Sequence, residues 1–198
     1  MITVVSGLPR SGTSLMMQMI VAGGIPALTD GLRTPDENNP KGYFEWEPAK
    51  TLKDHPEAIA GGEGKVVKIV SALLKQLPAD HEYRIVFMRR PLEEVVASQN
   101  KMLTRLGREV PPAPGAAVFA AFEKHLKDIE TWLARRANTQ VLYVDHFAVL
   151  DRPQQEAARV ATFLGGILDA DRMAAQWSDL SIGRRVIKTF PRGEQRFR

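Results

Sequence analysis

The segment VVSGLPRSGTSLMM, residues 4–17, carries the strongest structural signal in this 198-residue chain. An apolar run leads into a turn framed by Gly7 and Gly12, and a helical segment follows. Strand, glycine-rich turn and helix in this order are typical of a phosphate-binding loop, where backbone N–H groups and the helix N-terminus attract an anion. The glycine spacing matches G-x-x-x-x-G-K-[ST], but Thr13 stands where that pattern has lysine. We therefore predict an anion site without the lysine that reaches the terminal phosphates of a triphosphate.

Apolar runs alternate with helical segments along the rest of the chain. The predicted strands are residues 2–5, 65–70, 83–88 and 139–144, and the predicted helices are residues 13–23, 92–107, 118–133 and 154–164. This alternation is typical of a parallel sheet covered by helices. The expected fold class is α/β, a P-loop-type parallel β-sheet flanked by helices on both faces. We expect a single domain that spans residues 1–198.

Composition excludes several classes of site. The chain has no cysteine, which rules out disulfides, thiolate catalysis and cysteine-ligated metals. No apolar run approaches 18 residues, and no charged region precedes one at the N-terminus, so we expect a soluble, cytoplasmic protein without stable membrane insertion. The 27 Lys and Arg exceed the 23 Asp and Glu, with arginines concentrated near the C-terminus. That excess fits nucleic acid, a membrane surface, a small anionic ligand or a solvated tail.

A second candidate anion site follows the third predicted strand. The segment RRPLEEVVASQNKML places Arg90 just past the strand end and Ser98 eight residues later on the following helix. Ligands of open α/β sheets bind beyond the carboxyl ends of the strands, which is where the glycine loop is also expected. Two neighbouring anion sites indicate a nucleotide with phosphates at both ends of its ribose. Arg89 is a possible substitute for Arg90.

These motifs resemble those of sulfotransferases that use 3′-phosphoadenosine 5′-phosphosulfate (PAPS). GLPRSGTS is similar to the family's P-[KR]-S-G-T-[TS], and RPLEEVVAS is similar to R-D-P-R-D-V-x-x-S, with Pro91 and Leu92 as departures. The segment VLYVDHFAVLDRPQQEAARVATFLG resembles the family's late strand and helix, whereas SIGRRVIK departs from the K-G-x-x-G-x-W loop of many members. The resemblance implies transfer of a sulfonyl group from PAPS to a hydroxyl or amine by in-line displacement, with PAP as product and no metal.

The resemblance also assigns residues. It implies that the 5′-phosphosulfate is held by Arg10, Ser11, Gly12, Thr13 and Ser14, and that Arg90 and Ser98 bind the 3′-phosphate. It places Lys68 and Arg10 near the transferred sulfonyl group, although an edge-strand lysine facing water fits Lys68 equally well. Glu45, within NPKGYFEWE, is the first candidate for the general base, and Glu47 and His55 are alternatives. The remaining histidines, which we interpret as helix-face or loop residues without metal-ligand spacing, are His81, His125 and His146.

The remaining features of the sequence concern the acceptor site and two alternative functions. Residues 29–48 have no periodicity, and Tyr43, Phe44 and Trp46 are expected to form one wall of a site for a small-molecule, glycan or lipid acceptor. An ATP-dependent small-molecule kinase of the P-loop class remains open, although the lysine is missing and no obvious aspartate ends a predicted strand to hold magnesium. A non-catalytic nucleotide- or nucleic-acid-binding protein has support only from the basic composition, and we expect no nucleic-acid partner.

Overall fold

The computed structural model describes residues 1–32, 42–110 and 115–178. Within these residues five strands form one sheet: β1 (Ile2–Gly7), β2 (Ala27–Leu28), β3 (Val66–Lys68), β4 (Tyr83–Arg89) and β5 (Thr139–Asp145). Their order is β2-β3-β1-β4-β5, and every neighbouring pair is parallel. The first strand therefore lies inside the sheet, with β3 on one side and β4 on the other. Because all strands are parallel, their carboxyl ends share one edge of the sheet.

Helices connect the strands. They are α1 (Thr13–Ala22), α2 (Leu92–Arg105), α3 (Ala116–Ala134), α4 (His146–Asp151), α5 (Pro153–Phe163) and α6 (Ala170–Ser178). Shorter 3₁₀ helices cover Glu47–Thr51, Pro56–Gly62 and Ser71–Gln76. These 3₁₀ helices and the described parts of the long connection lie between β2 and β4, where parallel pairing requires the chain to cross back over the sheet.

Alternating strand residues supply two separate cores. In β4, Val86 and Met88 pack with α1, α5 and α6, whereas Ile85 and Phe87 pack with α3 and the 3₁₀ helices on the opposite face. This alternation follows from the two-residue period of a strand, and burial on both faces explains why β1 and β4 are predominantly apolar. The α/β class, the parallel sheet and the helices on both faces are confirmed.

The structure departs from the predicted elements in several places. The second predicted strand, residues 65–70, is paired only over Val66–Lys68, because the chain turns into a 3₁₀ helix at Ser71. Strand β2 and helices α4 and α6 were not predicted, since each is ten residues or shorter and has no long periodic pattern. The segment SIGRRVIK and residues 33–41 lie outside the described residues. The domain boundary of 1–198 stays a prediction.

The described part of the chain was also searched for membrane spans and metal clusters. None of its helices combines the length and apolar character that crossing a membrane requires. Among the same residues, no group of three or more His, Asp or Glu side chains could hold a metal ion.

Candidate anion-binding and catalytic site

The loop between β1 and α1 is tightly curled. Gly7 has a φ of 146°, Arg10 of 70° and Gly12 of 101°, all left-handed values that side chains rarely adopt. A Cβ atom on Gly7 would lie 2.5 Å from the Ser11 hydroxyl and 2.7 Å from the backbone oxygen of Met88. Helix α1 begins at Thr13 without a side-chain cap and without an acidic residue in its first turn. Its first N–H groups and the positive end of its dipole therefore remain available to an anion.

Several buried polar atoms around this loop have no hydrogen-bond partner among the described residues. They are the hydroxyls of Ser6 and Ser11, Nε of Arg90 and Nδ1 of His146. Leaving such a group unsatisfied costs about 1–3 kcal/mol. These four unsatisfied atoms near the loop are an arrangement that a bound polar ligand would complete.

The two predicted anion elements are in direct contact. Nε of Arg10 donates to the Ser98 hydroxyl across 3.2 Å, and Nη1 of Arg90 donates to the backbone oxygen of Arg10 across 3.0 Å. Nη2 of Arg90 also contacts Glu94, at 3.3 Å. Strand β4 lies directly beside β1, which explains how residues about 80 positions apart meet. Arg90 thus supports the left-handed turn at Arg10 as well as bringing a positive charge to the site.

Arg89, the proposed substitute for Arg90, lies elsewhere. Its exposed guanidinium contacts Glu130 at 2.5 Å and lies 3.9 Å from the centroid of the Tyr143 ring. Adjacent residues of a strand project to opposite faces, so Arg89 and Arg90 separate as β4 ends. Arg90 is therefore the arginine that the structure brings to the loop.

Lys68 is buried at the end of β3, next to the end of β1. It pairs in register with Val5, and its side chain is only 8% exposed. The ammonium group donates a hydrogen bond to the backbone oxygen of Tyr43 and lies 3.9 Å from Oε1 of Glu45. The alternative interpretation of Lys68 as an edge-strand lysine facing water is therefore wrong. A buried lysine with a carboxylate partner is a marked feature, because lysine is rarely buried unless it is paired.

A strained residue holds the partners of Lys68 in place. Phe44 has a φ of 51°, which for a bulky residue is an outlier that costs about 1–3 kcal/mol. It separates Tyr43, whose carbonyl accepts from Lys68, from Glu45, whose carboxylate approaches the same ammonium. The left-handed turn at Phe44 thus lets the groups on either side of it face one cation. Strain of this kind concentrates at functional sites.

The expected aromatic wall is only partly present. Trp46 packs into the core on the α3 side of the sheet, so its ring supports the fold. Tyr43 is also buried, and Phe44 is partly buried against the core on the α1 side. Phe44 is therefore the aromatic residue of this segment that keeps an exposed portion beside Glu45.

The three candidate bases differ in their exposure and in their ion-pair partners. Glu45 is 34% exposed and contacts Lys68, so its carboxylate is accessible both to solvent and to the site. Glu47 is exposed and pairs with Lys50 at 2.7 Å. His55 is exposed and pairs with Glu57 at 3.4 Å. Of the three candidate bases, Glu45 is the one that the structure brings to Lys68.

His146 is the residue that the sequence analysis missed. It is a helix residue, as interpreted, because α4 begins at His146. The sequence analysis missed that its ring, with a buried Nδ1 atom, lies against Gly12 of the loop. Burial, together with the nearby positive charge of Arg90, lowers the pKa of His146 to about 3. The sequence signal that could have identified His146 is its position just past the end of a predicted strand. Val144 pairs in register with Met88, so the residues that follow β4 and β5 lie side by side.

His81 and His125 contact other side chains. His81 contacts Glu63 at 3.2 Å, and Nε2 of His125 lies 2.9 Å from the hydroxyl of the buried Ser71. An aspartate does end a strand, contrary to the sequence analysis, because β5 finishes at Asp145. Oδ1 of Asp145 accepts a hydrogen bond from the backbone N–H of Ala148 across 2.9 Å and caps α4. The first role of this carboxylate is therefore structural.

No protein-family model matches the chain, and no curated protein matches it with significant similarity. Similar solved structures include an unliganded sugar kinase from Janibacter sp., with 17% identity and a TM-score of 0.44, covering 82% of this chain and 92% of that chain. They also include a retinol dehydratase in complex with androsterone and inactive cofactor PAP, with 17% identity and a TM-score of 0.45, covering 90% of this chain and 64% of that chain. Neither similarity identifies a reaction.

Proposed function

We propose that this chain is a PAPS-dependent sulfotransferase that transfers a sulfonyl group to a hydroxyl or amine acceptor. The observation that carries the proposal is the junction between the two anion elements, in which Arg10 contacts Ser98 and Arg90 supports the backbone of Arg10. One connected site with cations from both elements suits a ligand that carries anionic groups at two ends. A loop without the triphosphatase lysine suits a phosphosulfate better than a triphosphate.

The residues fit the donor at the loop. Gly7 and Gly12 allow the tight turn of the loop. Ser11 Oγ and Arg90 Nε are buried donors for which no described residue provides an acceptor, so a ligand could accept from both. Thr13 and Ser14 open helix α1 and would present their backbone N–H groups to the 5′-phosphosulfate. Arg10 and Ser98 would contact the nucleotide from the α2 side. Bound PAPS would supply the activated sulfonyl group, and the protein's task is to orient it and stabilise developing charge.

Lys68 and Glu45 fit the two charge changes of sulfonyl transfer. Negative charge grows on the leaving phosphate oxygen, and a buried cation stabilises it more strongly than an exposed one would. The burial of Lys68 satisfies that requirement. On the acceptor side a proton must leave, and Glu45 is an accessible carboxylate within the same cluster. Lys68 would thereby act as the electrostatic catalyst, together with Arg10, and Glu45 as the general base.

The acceptor would bind beside Glu45. The exposed fraction of the carboxylate and the partly buried ring of Phe44 offer a polar and an apolar contact on the same short segment. A small molecule, or the end of a glycan or lipid, that combines a hydroxyl or amine with an apolar face suits this combination. Cytoplasmic location remains part of the same proposal.

Calorimetry with PAP, AMP and magnesium ATP tests the donor assignment. We expect PAP to bind in the low micromolar range, corresponding to roughly −8 kcal/mol, and AMP to bind more weakly because one anionic end is missing. Equal affinity for AMP and PAP would contradict the proposal, and preferential binding of magnesium ATP would favour a kinase. Salt-sensitive polynucleotide binding would favour a nucleic-acid-binding protein.

Transfer of labelled sulfonyl groups from PAPS to a panel of hydroxyl and amine acceptors tests the chemistry. Glu45→Gln should lower kcat by about 10²–10⁴-fold, as expected for loss of a general base, while PAP affinity stays within about threefold. Glu47→Gln is the matched control, because that exposed carboxylate pairs with Lys50 instead. A Glu45→Gln enzyme with normal kcat would exclude Glu45 as the base.

A further inference from the structure

One buried polar group beside the loop has no part in the chemistry proposed above: Nδ1 of His146. It has no hydrogen-bond partner among the described residues. An ideal Cβ built on Gly12 would lie 2.5 Å from this Nδ1 and 3.2 Å from Cε1 of the same ring. The ring edge therefore occupies the space that a side chain at Gly12 would fill, next to the N-terminus of α1.

Two other buried groups of the same region also lack a hydrogen-bond partner among the described residues. The Ser11 hydroxyl belongs to the loop itself, and Nε of Arg90 belongs to the guanidinium that supports Arg10. A hydroxyl and a guanidinium N–H both donate hydrogen bonds, and a neutral imidazole donates from Nδ1 in its Nδ1–H tautomer. An anion at the loop offers acceptors to all three groups. A purely packed histidine gives no reason for a polar atom to remain buried and unsatisfied.

We propose that His146 is a ligand-contacting residue of the loop site, whose Nδ1–H group donates a hydrogen bond to an oxygen of the phosphate or sulfonate held there. The inference rests on the proposed function only for the identity of the ligand. Burial and the adjacent charge of Arg90 keep the pKa of the ring low, so the ring donates as a neutral group. The other charged groups next to Arg90 and His146 are Arg10, Glu94 and Asp145.

The imidazole ¹⁵N resonances of the full chain test this contact. His146 is assigned by comparison with His146→Phe, and the chain is titrated with inorganic sulfate and separately with PAP. The His146 Nδ1 resonance should shift on saturation with either ligand, whereas the exposed His55 should not respond. If PAP binds and the His146 resonance stays still, the inference fails and the proposed function stands. If sulfate moves the resonance but PAP does not bind, the contact stands and the donor assignment fails; no binding of either refutes both.

Two variants separate the hydrogen bond from packing. His146→Asn can place an amide N–H near the Nδ1 position and should keep PAP affinity within about threefold. His146→Phe keeps an aromatic ring without the donor and should weaken PAP binding about tenfold or more. Equal affinity in both variants would overturn the inference. If His146→Phe does not fold, the wild-type titration decides alone, with His146→Asn used for the assignment.

Discussion

Replacing Gly12 by alanine is the most direct test of how the loop is built. At a φ of 101° a side chain is strained, which costs about 1–3 kcal/mol. The new Cβ would also meet Nδ1 of His146 at 2.5 Å, and overpacking of a dense interior costs typically about 1–3 kcal/mol more. We therefore expect Gly12→Ala to lower the free energy of unfolding by about 2–6 kcal/mol in total.

Gly24→Ala is the matched control. Gly24 has a comparable φ of 120°, but nothing lies within 4 Å of the position its Cβ would take. Its cost should therefore be the backbone strain alone, about 1–3 kcal/mol. Urea unfolding monitored by circular dichroism measures both variants, and the midpoint of Gly12→Ala should be the lower of the two.

A double mutant with His146→Ala isolates the clash. Removing the ring should make the Gly12→Ala substitution less costly, with a coupling energy of about 1–3 kcal/mol between the two positions. Backbone strain and any helix-capping effect of Gly12 remain in both backgrounds and cancel from the coupling. A coupling below about 0.5 kcal/mol, or a Gly12→Ala cost no greater than that of Gly24→Ala, would refute the packing of His146 on the loop.

Two further predictions concern the neighbouring charges. Arg90→Ala should weaken PAP binding by about 10- to 100-fold, because a charge-assisted contact worth about 1.5–3 kcal/mol is lost. AMP, which lacks the 3′-phosphate, should weaken less, and calorimetry should show Arg89→Ala within about twofold of wild type for both ligands. Equal losses for both ligands in Arg90→Ala would mean that Arg90 holds the fold or the 5′ end of the ligand and would contradict its assignment to the 3′-phosphate. The pKa of His146 falls from 6.5 to about 3 on folding, so the unfolded chain binds the additional proton between these pH values and the free energy of unfolding decreases as pH falls from about 6.5 to 3, by up to about 5 kcal/mol. His146→Phe should flatten that part of the stability profile, and parallel profiles for the two proteins would contradict it.

The sequence alone predicted the features that contiguous residues encode. Apolar residues, two glycines at fixed spacing and a helical segment specify strand, turn and helix locally, which is why β1, the loop and α1 were found. The placement of Arg90 at a strand end and Ser98 two helical turns later also depends only on local periodicity. The local structure of both candidate anion elements was therefore predictable, as was the α/β class.

The tertiary structure alone decided which of these residues meet. The order β2-β3-β1-β4-β5 places Lys68 on one side of the loop and Arg90 on the other, and strand order is not written in the period of any single strand. The approach of Glu45 to Lys68 depends on a left-handed Phe44, a conformation that its residue type does not favour. His146 reaches Gly12 because β5 pairs with β4 in one register. Glu45 and Lys68 are 23 positions apart, and Gly12 and His146 are 134 positions apart. Such contacts arise from tertiary packing, which local sequence patterns do not encode.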